Sequence, residues 1–145
     1  MASQLLVAID GSKHSERIVE FTGSLAKTMH AKVILLYVVP KTEVPEEYRQ
    51  FARTERAAES DYFDEFGKAV LEKYSQVLRD KGVEHEVLTD VGNPADRVTQ
   101  IAEGRHVETI IVGLQGLHGL GRLRSLGSVS RRIIENSSVP VLVVP

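Results

Sequence analysis

The sequence predicts an α/β protein whose parallel sheet is covered by helices on both faces. Two observations carry that expectation. Five short runs of aliphatic and β-branched residues alternate with four stretches in which apolar residues recur every three or four positions. Most of the runs are also continuous in hydrophobicity, as strands buried on both faces require. Such alternation gives right-handed βαβ crossovers, and with no internal repeat or low-complexity linker residues 1–145 are read as a single domain.

Leu5-Leu6-Val7-Ala8-Ile9 is the first strand, stopped by Asp10-Gly11-Ser12. From Ser12 to Met29, the positions Ile18, Phe21, Thr22, Leu25 and Met29 mark an inward helix face, with Ser12 or Ser15 able to cap its start. Lys32 to Val39 is the second strand, closed by Pro40 because proline cannot donate to a central ladder. A long helix is expected from about Pro45 to Arg79, its stripe formed by Phe51, Tyr62, Phe66, Ala69, Val70, Tyr74, Val77 and Leu78. Lys81-Gly82 ends it, and the alternation of Val83, His85 and Val87 with Glu84, Glu86 and Leu88 reads as a third, less covered strand. Gly92-Asn93-Pro94 supplies a loop, an asparagine cap and a proline at the first helical position, with Val98, Ile101 and Ala102 inward until Gly104. Thr109 to Val112 is the fourth strand. The last helix opens at Gly127-Ser128 with Val129, Ile133 and Ile134 on one side, and Val139 to Val144 is the fifth strand.

Composition narrows the function. The formal net charge of -2 offers no basic field to gather nucleic acid, so no nucleic-acid partner is expected. The absence of cysteine excludes a disulfide framework, thiolate catalysis and cysteine-ligated metals. No apolar stretch approaches the roughly 20 residues that span a bilayer, and the first residues lack the pattern of a signal peptide, so a cytoplasmic location without membrane contact is expected.

In an open parallel sheet the ligand crevice lies beyond the carboxyl ends of the strands. Asp10 ends the first strand there, where a carboxylate can accept from ribose hydroxyls or help hold magnesium; as part of Asp-Gly-Ser it can equally serve the turn. Residues 113–127 hold glycines at 113, 116, 119, 121 and 127 and feed a helix amino terminus, whose N–H groups and dipole suit phosphate. Arg122, Arg124, Arg131 and Arg132 are nearby in sequence and could add charge. A mobile surface loop beside a solvated basic face is the competing reading. Neither a P-loop nor a G-x-G-x-x-G dinucleotide fingerprint occurs. His14, His30, His85, His106 and His118 show no i, i+4 pairing, which argues against a metal site and leaves most of them as exposed or cap-like residues.

Taken together, the segments LLVAIDGSKHSERIVEF, VILLYVV, VGNPADRVTQIA, ETIIVGLQG and GSVSRRIIENSSVPVLVV resemble the universal stress protein family over nearly the whole chain. The resemblance implies a Rossmann-like adenine nucleotide-binding fold with five parallel strands in the order 3-2-1-4-5. It implies that Asp10 meets ribose or metal, that Val38 and Val112 flank the adenine, and that Gly113, Gly116, Gly127 and Ser128, with Val129 beside them, wrap the phosphates. Two positions depart from the family pattern. Ten residues, Leu117 to Leu126, separate Gly116 from Gly127 where the family has nine, and Leu114 stands where a small hydroxyl residue is common.

The implied function is a stress-response or signalling module that binds ATP, or AMP or ADP, with magnesium as a companion ion. With no dedicated base or nucleophile carried over, at most slow hydrolysis is expected, and no catalytic residue is assigned. The alternative is a family member that does not hold ATP and acts as a dimeric interaction module. In either case the apolar fifth strand, Val141, Leu142, Val143 and Val144, is placed at a sheet edge and invites a homodimer.

Overall fold

The structure, a computed structural model, describes residues 3–40, 59–114 and 126–145, with the side chains of 59–64 outside the description. Its elements run β1 (Gln4–Ile9), α1 (Ser15–Met29), β2 (Lys32–Val39), α2 (Glu59–Asp80), β3 (His85–Val91), α3 (Pro94–Gly104), β4 (Thr109–Gly113), α4 (Ser128–Asn136) and β5 (Val141–Val144). The strands form one sheet in the order β3-β2-β1-β4-β5, every pair parallel.

The period-two geometry of a strand sorts the core into two layers. Val33, Leu35, Tyr37 and Val39 of β2 face one way and pack with Leu5, Val7 and Ile9 of β1 and with Ile18, Val19 and Ala26 of α1 and Leu71, Tyr74 and Leu78 of α2. Ile34, Leu36 and Val38 face the other way, against Ala95, Val98 and Ala102 of α3 and Ile133 of α4. Both faces of β1, β2 and β4 are therefore covered, which explains their unbroken apolar sequence.

Several helix faces differ from the sequence reading. On α1, Gly23 faces α2, since a Cβ there would lie 3.2 Å from Leu78 and 2.6 Å from Lys81. Phe21, two residues earlier, sits about 200° away round the helix. Phe21 and Met29, expected inward, are 42% and 38% exposed. Ala69 is likewise exposed on α2, where Leu71 and Ser75 are buried instead. On α4 the inward residues are Ser130 and Ile133, and both Val129 and Ile134 are 43% exposed. The expected start of the long helix, including Phe51, lies outside the described residues.

Two strand boundaries also shift. Val83 precedes β3: its N–H donates to Leu78 O at the end of α2, so its burial belongs to a helix-ending turn in which Gly82 has φ +70°. Val139 precedes β5, held in a turn where Ser137 Oγ donates to Val139 O and accepts from Val139 N. His30 and His106 follow α1 and α3 with φ of 55° and 53°, the left-handed conformation that closes a helix. His85 is neither exposed nor a cap: Nδ1 lies 2.9 Å from Val83 O and Nε2 2.7 Å from Ser75 Oγ. The carbonyl can only accept, so Nδ1 carries a proton toward it.

Candidate functional site

Strand register brings the expected site residues to one level. Ile9 pairs with Tyr37 and Val7 with Ile111. Asp10 directly follows Ile9, as Val38 follows Tyr37, and β1 pairs with β4 from Leu5–Thr109 to Val7–Ile111 on its other side. Adjacent strands lie about 4.8 Å apart. The end of β1 therefore stands between the ends of β2 and β4, at the carboxyl edge of the sheet.

Asp10 is tied into the turn that follows it. Its Oδ1 accepts from Ser12 N at 2.8 Å and from the Ser15 hydroxyl at 3.2 Å. Gly11 between them has φ +80°, a conformation that side-chain-bearing residues rarely adopt. This corrects the capping expectation. Neither serine hydroxyl caps α1: no side-chain cap forms at His14, Ser15 spends its hydroxyl on Asp10, and Ser12 Oγ is buried with no hydrogen-bond partner. Asp10 thus holds the turn whatever else it does.

Val38 and Val112 are buried in the layer under α3 and α4. Gly113 ends β4, and its carbonyl accepts from Ser130 Oγ at 2.6 Å. That bond pins the first turn of α4 against the strand, and it is the contact the sequence reading missed; a serine three positions before the inward Ile133 was its only signal.

The glycine-rich segment is closed at its ends. Gly127 N donates to Leu114 O at 2.7 Å, and Leu114 N donates to Val144 O at 2.8 Å. Leu114 brings no hydroxyl but acts through its backbone as a clasp between β5 and the start of α4. Gly116, His118, Arg122 and Arg124 lie outside the described residues.

Gly127 is the N-cap of α4, with φ -64° and ψ 156°, values open to any residue, and no side chain caps the helix. The first intrahelical bond runs from Arg131 N to Gly127 O, so the N–H groups of Ser128, Val129 and Ser130 have no acceptor in the helix. No acidic residue lies in its first turn to neutralise the dipole. Arg132 is spent on Asp96 in a two-pronged pair at 2.8 and 3.2 Å, which locks α4 to α3 and withdraws that arginine from the set expected to serve phosphate. Arg131 stays exposed. Among the described residues no three His, Cys, Asp or Glu side chains converge on a metal position.

The arrangement is that of a doubly wound α/β protein whose strand order reverses between β1 and β4, the point at which open parallel sheets take their ligands. Residues 1–145 match the profile of the Universal stress protein family. Universal stress protein YxiE of Bacillus subtilis is 33% identical over 155 residues, covering 99% of each chain. The chain belongs to the universal stress protein family. Among solved structures, that of MJ0577, a universal stress protein of Methanocaldococcus jannaschii, is 28% identical with a TM-score of 0.78 and covers 99% of this chain and 96% of its own. A universal stress protein in complex with cAMP is 26% identical with a TM-score of 0.69, again over 99% and 96% of the two chains. Among the described residues, no helix is long and apolar enough to cross a membrane.

Proposed function

We propose that this chain binds an adenine nucleotide, with ATP as the leading candidate and AMP or ADP as the others, and serves as a stress-response or signalling module. The uncapped amino terminus of α4, held to the end of β4 by Ser130 and Leu114, carries the reading. It offers the N–H groups of Ser128 and Val129 to an anion at the edge that Asp10 shares. Gly113, Gly116 and Gly127 would line the phosphates, and Val38 and Val112 would bound the base. The similar protein in complex with cAMP supports an adenine ligand.

Magnesium fits this site only as a companion of the nucleotide. Asp10 is one carboxylate, and one or two carboxylates plus phosphate oxygens and waters is the usual magnesium arrangement. The chain's own part is to bind and orient; no base or nucleophile is assigned, and hydrolysis is at most slow. A second reading, an interaction module that holds no ATP, is favoured by one observation: Gly127 spends its N–H on Leu114 O rather than leaving it for phosphate. In both readings the chain pairs with a second copy through β5.

Nucleotide released from the purified protein and identified by mass spectrometry tests the choice. Near-stoichiometric adenine nucleotide supports the first reading. A ligand at 100 times its Kd stabilises a fold by about 2.7 kcal/mol. For a domain of this size that is about 8 °C in Tm, so an empty protein with no shift in saturating Mg-ATP supports the second.

A further inference from the structure

Ser12 Oγ is, among the described residues, the only buried side-chain polar atom without a hydrogen-bond partner. A serine beside a helix start ordinarily spends its hydroxyl on a nearby backbone N–H. Here that role is taken by Asp10, which accepts from the Ser12 N–H and from the Ser15 hydroxyl. The turn is therefore complete without the Ser12 hydroxyl. An unspent hydroxyl held out of water is costly to a fold and calls for a partner that arrives later.

Its position says which partner. Ser12 lies three residues beyond the end of the strand at the centre of the sheet, on the turn that Asp10 organises and that Gly11 bends with φ +80°. The residue as a whole is only half-buried, so rotation about a single bond carries Oγ from its covered position to the exposed side. Resting on the nucleotide-binding reading above, we propose that the Ser12 hydroxyl is a ligand-binding donor that hydrogen-bonds an oxygen of the ribose–phosphate part of the bound nucleotide. Asp10 then acts twice, on its own account and by fixing the backbone that aims Ser12.

Calorimetric titration with Mg-ATP and with adenosine, together with the melting temperature of the nucleotide-free protein, tests the assignment on Ser12→Ala and Ser15→Ala. Ser12→Ala should leave the empty protein as stable as the native chain or slightly more so, because no bond is lost. It should weaken ATP binding about tenfold, the usual effect of losing one hydrogen bond to a charged oxygen. Ser15→Ala should lower the melting temperature of the empty protein, since its hydroxyl is engaged with Asp10. A loss confined to ATP places the contact on phosphate, and an equal loss with adenosine places it on ribose. A Ser12→Ala protein that melts lower when empty shows the hydroxyl engaged within the fold or with a buried water, and overturns the proposal. So does unchanged affinity in a variant of a native chain that binds. A native chain that binds neither compound refutes the nucleotide reading itself, and this assignment with it.

Discussion

Replacing Asp10 separates the two duties its carboxylate is given. In Asp10→Ala the Ser15 hydroxyl, fully buried, and the Ser12 N–H lose their common acceptor. Orphaning a buried donor costs about 1–3 kcal/mol, whereas the half-exposed Ser12 N–H can partly turn to water. A total near 2 kcal/mol follows, or about 6 °C in Tm for a domain of this size. Asp10→Asn keeps an amide oxygen that accepts both bonds, so its Tm should fall by less than half as much. Binding should respond differently. If the carboxylate meets magnesium as well as ribose, both variants lose Mg-ATP affinity, and most of the loss disappears when magnesium is chelated. Scanning calorimetry of the empty proteins and titration with ATP, with and without magnesium, separate the two duties. An Asp10→Asn protein with native Mg-ATP affinity would confine Asp10 to the turn, and one as unstable as Asp10→Ala would show that no acceptor holds the turn.

Four further outcomes follow from the packing and from the edge of the sheet. Gly67→Ala should lower Tm by about 3–6 °C, because its Cβ would sit 2.4 Å from Thr89 Cγ2 and 2.9 Å from Thr89 Cβ, an overpacking that outweighs alanine's helix propensity. Gly104→Ala, with nothing within 4 Å, should raise Tm by up to about 3 °C, and the reverse order in calorimetry would show that α2 can move off the sheet. His30→Gly should raise the urea midpoint by relieving a left-handed residue, a gain of about 0.5–1 kcal/mol after glycine's entropy is subtracted; a lower midpoint would mean the imidazole itself stabilises the end of α1. Leu142→Lys combined with Val143→Pro should convert a dimer to a folded monomer in light scattering, and a dimer that persists would move the interface away from β5.

The sheet was legible because burial on both faces writes itself as unbroken hydrophobicity, and β1, β2 and β4 are so buried. The strand ends were less so. Val83 is apolar because a helix-ending turn buries it, and periodicity cannot tell that from the first residue of a strand. Helix faces misled for a different reason: Phe21, Met29, Val129 and Ile134 are apolar and exposed, while Ser15, Ser75 and Ser130 are polar and buried. Apolar identity does not imply burial, and each of these serines has a specific acceptor or donor that only the fold supplies. At the site, Asp10 and the start of α4 stood out as a carboxylate after an apolar strand and as Gly-Ser before a helix. The clasp through Leu114 and the diversion of Arg132 to Asp96 were invisible, since both join residues distant in sequence that only the fold brings together.

The two edges of the sheet differ in how readily each would accept a second copy of the chain. On β3, Glu86 and Asp90 carry charge along the strand and are paired with Arg105, which follows α3, and Arg97 of α3, with Asp90 Oδ2 2.5 Å from Arg97 Nε. An incoming strand there would have to pack beside four charged side chains, the kind of edge that resists association. β5 carries no charge, and Val141, Leu142 and Val143 are each only partly covered. Its hydrogen bonding shows which groups remain for a partner. Pro140 O accepts from Ile110 N and Val144 O from Leu114 N, so the even-numbered carbonyls point at β4. The peptide groups of Val141 and Val143 therefore point away from β4, and two copies running antiparallel about a two-fold axis would match these rows to each other. Proline at 143 deletes one outward donor while leaving the ladder to β4 whole, which is why loss of the dimer without loss of the fold is the outcome to expect.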